Sequence, residues 1–172
     1  MPELFEWIAP DRGLNLAMMP RPPGGNRLDF ALAALQREGV DVLVSLQPEQ
    51  EAALCGLERE AEVADMLGME FVRHPITDHG VPSSADDTLT LARTLAERLG
   101  AGQGVLLHCY AGIGRAGLMA ILTLGAAGLD LNDAVERASK ARMLRVPETT
   151  TQLAWLEEAF EQRLGRRPPA AR

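Results

Sequence analysis

The sequence predicts an α/β fold: a central, mostly parallel sheet flanked by helices. Three observations carry that expectation. Short aliphatic runs, VDVLVSL from Val40, MEFVRHPI from Met69 and GQGVLLHC from Gly102, stand out as strands. They are rich in β-branched and aliphatic residues with little polar alternation, as strands covered on both faces are. Longer segments of helical periodicity lie between them, and strands separated by helices assemble into a sheet sandwiched by those helices.

The elements follow in order. LFEWI and LNLAMM read as edge strands of weak periodicity, and PRPPGG then breaks regular structure. NRLDFALAALQR, from Asn26 to Arg37, places Leu28, Ala31, Leu32 and Leu35 on one helical stripe, and Gly39 ends it. After VDVLVSL, Pro48 opens a polar stretch, and ALCGLEREAEVADMLG shows an interrupted helical pattern up to Gly68. Pro75 closes the next strand before the loop TDHGVPSS. Ser83 or Ser84 is positioned to cap a helix whose apolar stripe is Leu89, Leu91, Leu95 and Leu99. GRAGLMAILTLGAAG reads as a helix directly after a glycine-rich turn. LNDAVERASKAR, with Asn132 as its expected cap, and ETTTQLAWLEEAFEQRL, after Pro147, complete the helices. No internal repeat or linker divides the chain. One domain over residues 1–165 and a flexible tail over 166–172 are expected.

Composition narrows the class. The chain has 172 residues, enough for one sizeable core. Its 17 basic and 24 acidic residues give a net charge of −7, which argues against nucleic acid or an anionic membrane as partner. The two cysteines, Cys55 and Cys109, form neither a disulfide framework nor CxxC metal spacing. His74 and His79 read as turn or surface residues; no metal and no cofactor are expected. Trp7 and Trp155 are expected in the core or an interface, and Arg163, Arg166 and Arg167 form a small solvated basic patch. The N-terminus lacks the basic-then-apolar order of a signal peptide. The run from Gly117 to Leu129 is too short to span a bilayer, so a cytoplasmic location is the expectation.

The chemistry concentrates in HCYAGIGRAG, from His108. A strand, a glycine-rich turn and a helix N-terminus together point backbone N–H groups inward, and the helix dipole favours an anion there. Gly112 and Gly114 permit the turn. The loop lacks the GK[ST] ending of a nucleotide-binding P-loop. Cys109 stands at the entrance of this nest and near Arg115, where a thiol with an ordinary pKa of about 8.5 is expected to ionise more readily. The same nest attracts a phosphate dianion. The fork of Arg115 can grip two of its oxygens while the sulfur attacks phosphorus in line.

Cys109, five intervening residues and Arg115, preceded by His108 and containing Gly112 and Gly114, resemble the phosphate-binding loop of the cysteine-dependent protein tyrosine and dual-specificity phosphatases. The likeness runs from VDVLVSL to the final helix. HPITDHGVPS resembles the acid loop of the small group that includes the kinase-associated phosphatases. The resemblance implies a loop of Tyr110, Ala111, Gly112, Ile113, Gly114 and Arg115 around the phosphate, and a phosphocysteine intermediate on Cys109. It makes Asp78, 31 positions before Cys109, the general acid and then the base. It also makes His108 a supporting residue beneath the loop, and Gln152 the side chain that guides the attacking water. A turn cap in TDHG is the lesser alternative for Asp78, and without the resemblance Gln152 reads as a surface glutamine.

Two features depart from the commonest pattern. Most members carry serine or threonine after the arginine, where the hydroxyl helps the sulfur leave; this chain has Ala116, as do the phosphatases of regenerating liver, whose loop HCYAGIGRAG resembles. Slower turnover and a longer-lived phosphoenzyme follow. The loop also lacks the lysines found in members that take polyphosphorylated inositides, which favours a phosphoprotein substrate, phosphotyrosine first and phosphoserine or phosphothreonine second. A phosphoinositide phosphatase and a phosphoprotein-binding trap of slow turnover remain as alternatives. A protective disulfide between Cys55 and Cys109, seen in some members, is disfavoured by placing Cys55 in a helix.

Overall fold

The computed structural model describes residues 5–165, so the expected tail over 166–172, with Arg166 and Arg167, lies outside the described residues. Five strands, β1 (Trp7–Ala9), β2 (Leu14–Pro20), β3 (Val42–Ser45), β4 (Glu70–Arg73) and β5 (Val105–Cys109), form one sheet in the order β1-β2-β5-β3-β4. β1 is antiparallel to β2; every other pairing is parallel. The helices are α1 (Leu28–Arg37), α2 (Glu49–Leu54), α3 (Glu60–Met66), α4 (Ala85–Gly100), α5 (Arg115–Ala126), α6 (Leu131–Arg142) and α7 (Thr150–Gln162). The expected α/β class holds.

One expectation about the strands is corrected. LNLAMM is not an edge: β2 lies between β1 and β5, with Ala17, Met18 and Met19 buried. Its weak periodicity is that of a strand covered on both faces, where alternation disappears. β5 is the central strand and β3 its other neighbour. All five residues of β5 and all four of β3 are buried, His108 and Ser45 included.

Two cores form, one on each face of the sheet. α1 and α3 cover one face through Leu28, Leu32, Leu35 and Val63. α4, α5, α6 and α7 cover the other, with α5 innermost. Every residue of α5 from Arg115 to Gly125 is buried, and apart from Arg115 and Thr123 its sequence is apolar on every face instead of amphipathic. Each fully covered leucine there contributes about 2 kcal/mol of apolar burial. Among the described residues no helix is long and apolar enough to cross a membrane.

Caps fix where the helices start. Ser84 Oγ accepts the Asp87 N–H at 3.2 Å and begins α4. The cap of α6 is Asp130, which accepts the Asp133 N–H at 2.9 Å, and not Asn132. Aspartate two residues earlier leaves Leu131 free to be buried as the first helical residue. Thr149 caps α7 in a reciprocal box with Gln152. In α4 the buried stripe is Leu89, Ala92, Leu95 and Leu99, with Leu91 only partly covered. Trp7 and Trp155 are partly buried and pack against opposite cores.

Candidate active site

The central strand ends at Cys109 and α5 starts at Arg115, so residues 110–114 turn directly from sheet to helix. The backbone of this turn is held from outside. Tyr110 O accepts the Arg21 N–H at 3.3 Å. Ala111 O accepts from Arg142 Nη2 at 3.3 Å, and Gly112 O from Arg142 Nε at 3.0 Å. In a trans peptide the N–H points opposite to the preceding carbonyl. Three outward carbonyls therefore turn the N–H groups of Ala111, Gly112 and Ile113 inward. The Gly112 N–H meets Cys109 Sγ at 3.3 Å. Gly112 has φ 70°, and a Cβ there would run into the backbone of Met19 and Pro20. Glycine is the residue this position accepts.

Arg115 is 1% exposed and carries a positive charge into the core. Its Nη1 and Nη2 donate to Glu51 Oε2 and Oε1, both at 2.8 Å, and Nη1 also donates to Ile76 O at 3.1 Å. Nη2 stands 3.0 Å from Asp78 Oδ1. Burial works against the guanidinium charge, but the hydrogen bonds to Glu51 and the nearby Cys109, Glu51 and Asp78 together push the Arg115 pKa above its already high ordinary value. The reciprocal effect holds the Glu51 carboxyl below its ordinary 4.5, chiefly through the Arg115 hydrogen bond, against the opposing cost of burial. Glu51 thus grips the guanidinium end-on through both of its Nη atoms.

Asp78 follows β4 on the loop 74–84 and is half exposed. Its Oδ1 also accepts the N–H of His79, whose φ is 58°. His79 Nδ1 lies 3.5 Å from Glu148 Oε2. Gln152 is fully buried; its Nε2 donates to Gly80 O at 3.0 Å, while its Oε1 accepts the Thr149 N–H at 3.2 Å. Gln152 thus ties the loop 74–84 to the start of α7. It also borders the turn 110–114: a Cβ on Gly114 would lie 3.1 Å from its amide atoms. The structure brings Cys109, Arg115, Asp78 and Gln152 around one turn of chain.

Other predicted residues sit apart. His108 is fully buried on the opposite sheet face from Cys109, 2.6 Å from Glu60 Oε1. Ala116 is buried in the first turn of α5. Cys55 caps the C-terminus of α2 as a free, half-buried thiol, with Gln47 Nε2 3.7 Å from its sulfur. His74 Nε2 is 2.8 Å from Thr88 Oγ1. Among the described residues no group of three or more His, Cys, Asp or Glu gathers where a metal ion would fit. Glu51, Glu60 and Arg142 escape a reading of the sequence. Glu51 is one of several acids in a polar stretch, and nothing in the local pattern marks it as the partner of an arginine 64 residues away.

Residues 17–127 match the model of the family "Polymorphic toxin system, DSP-PTPase phosphatase". The chain belongs to this family. It is a cysteine-based phosphatase, a phosphoric monoester hydrolase. No curated protein sequence matches the chain. Among solved structures it is similar to kinase-associated phosphatase carrying serine for its catalytic cysteine (TM-score 0.81, 19% identity, covering 96% of this chain and 98% of that one). It is also similar to the active form of Tk-PTP (0.73, 26%, 94% and 99%) and to PTPMT1 in complex with PI(5)P (0.73, 19%, 95% and 97%).

Proposed function

We propose that Cys109 is the nucleophile, Arg115 and the inward N–H groups bind the transferring phosphoryl group, and Asp78 moves the proton. In the first step the Cys109 sulfur forms a bond to phosphorus while the P–O bond to the leaving group breaks. Asp78 gives its proton to that departing oxygen, which would otherwise leave as a costly alkoxide or phenoxide. In the second step Asp78 takes a proton from water, water oxygen bonds to phosphorus, and the P–S bond breaks to release phosphate and thiolate. Gln152, between the acid loop and Gly114, borders the path of that water. The single observation that supports this reading is the meeting of three groups. Cys109 Sγ accepts an inward loop N–H at 3.3 Å, and Arg115 of the same loop lies 3.0 Å from Asp78.

A phosphoprotein is the substrate this rim fits best, with phosphotyrosine first. Tyr110 is half exposed with Arg21 stacked 4.0 Å from its ring centre, and Met143 and Leu144 stand exposed directly after Arg142. Apolar surface beside the loop suits a peptide better than a polyphosphorylated ring. Arg21 and Arg142 are engaged with Tyr110 and the loop carbonyls. Ala116 favours slow breakdown of the phosphoenzyme, since no hydroxyl follows Arg115.

The test is phosphate release from phosphotyrosine, phosphoserine and phosphothreonine peptides and from phosphoinositides, with Cys109→Ser as control. Sustained release from phosphopeptides, abolished by Cys109→Ser, is expected. Release that stops after one equivalent would favour a trap, and preference for the lipids would overturn the substrate assignment.

A further inference from the structure

In-register parallel strands place His108 of β5, Ser45 of β3 and Arg73 of β4 in one row on the sheet face away from Cys109. Glu60, the first residue of α3, lies over that row and is wholly buried, as are His108 and Ser45. Its Oε1 is 2.6 Å from His108 Nε2, and its Oε2 is 3.9 Å from Arg73 Nη2. The short His108 contact lacks the angles of a good hydrogen bond. Both carboxylate oxygens and both imidazole nitrogens count among the buried polar atoms without a well-formed one, as does Ser45 Oγ.

Such a cluster is a poor way to stabilise a core. Desolvating ionisable groups costs several kcal/mol each, and apolar side chains of the same volume would serve stability as well or better. What the cluster does have is reach. His108 directly precedes the nucleophile, and its carbonyl accepts the Leu46 N–H at 2.9 Å. In the other direction Arg73 Nη1 donates to Gln47 O at 3.2 Å, Gln47 Nε2 donates to Glu51 Oε1 at 3.0 Å, and Glu51 grips Arg115. One chain of contacts beneath the sheet therefore joins both ends of the loop, the residue before Cys109 and Arg115 itself.

We infer that Glu60 is a positioning residue for phosphoryl transfer: it holds His108, and through His108 the start of the loop that presents Cys109. This rests on the reading of Cys109 and Arg115 given above. Glu60 touches no reacting atom; its effect passes through His108.

The experiment is a double-mutant cycle on kcat and KM with p-nitrophenyl phosphate, using Glu60→Gln, His108→Asn and the pair, with melting temperatures alongside. Glu60→Gln is expected to lower kcat about tenfold, through loss of the close carboxylate–imidazole contact, with KM within about twofold. In the His108→Asn background the same change is expected to have no further effect on kcat. Glu60→Asp, which keeps the charge but falls about 1.5 Å short, is expected to lose as much as Glu60→Gln; it also serves if the glutamine variant does not fold. Equal losses from Glu60→Gln in both backgrounds, or wild-type kcat in Glu60→Asp, would overturn the inference. A wild-type protein that neither turns over the ester nor binds vanadate would instead overturn the reading of the active site.

Discussion

Replacing Glu51 by glutamine removes one charge from the pair that aims Arg115 and leaves side-chain size unchanged. Two bonds of 2.8 Å join the groups, with Arg115 almost fully buried and Glu51 a quarter exposed. Breaking a wholly buried pair costs about 3–5 kcal/mol. Glutamine retains one acceptor, and solvent reaches Glu51, so about 2 kcal/mol is the expected loss. If that energy holds Arg115 in its phosphate-binding pose, kcat/KM falls roughly thirtyfold. Initial rates with p-nitrophenyl phosphate, with vanadate affinity measured in parallel, read this directly. The pair also carries a pH signature. The folded-state pKa of Glu51 is depressed, so its stabilisation is complete above the unfolded value of about 4.5 and is lost as pH falls through the lower folded value. Acid unfolding of Glu51→Gln should lack that contribution. A kcat/KM within threefold of wild type would refute the assignment of Glu51 as the residue that orients Arg115.

Asp78→Ala should lower kcat about a hundredfold or more on phosphotyrosine peptides and less on esters with good leaving groups, because only the former need the proton; equal losses on both would count against Asp78 as the acid. Ala116→Ser should speed breakdown of the phosphoenzyme in rapid-quench single turnovers by up to about a hundredfold, as one aimed donor elsewhere is worth roughly 3 kcal/mol; an unchanged rate would dissociate the alanine from slow turnover. Gly112→Ala should weaken vanadate binding and lower the melting temperature together, since its φ of 70° and the Met19 backbone both oppose a side chain; a variant with unaltered affinity would show that the loop tolerates another shape.

The sheet is legible because its central strands are dominated by aliphatic residues, and the loop 110–114 because a cysteine, two glycines and an arginine lie close together in sequence. β2 was misplaced as an edge because seven residues of weak alternation look alike whether exposed or doubly covered. The cap of α6 slipped from Asp130 to Asn132, for both residue types cap equally well and burial of Leu131 decides between them. Nothing local marks Gln152; its burial depends on the loop 74–84 folding over α7, a contact 72 residues away in sequence. Glu51 and Glu60 were hidden for the same reason. An acidic residue in a polar stretch declares nothing until a distant cation or imidazole is brought against it.

The 3.0 Å approach of Asp78 to Arg115 has a thermodynamic corollary. If Arg115 binds the phosphoryl group as proposed, an arriving phosphate ester does not gain a bare cation at Nη2; it competes there with the Asp78 carboxyl group already in contact. Affinity would then be the difference between two anion contacts, and inorganic phosphate, with no leaving group to add contacts of its own, is expected to be held weakly. On the same reading, once hydrolysis has detached the leaving group, that competition would help expel the product and return the protein to its starting arrangement.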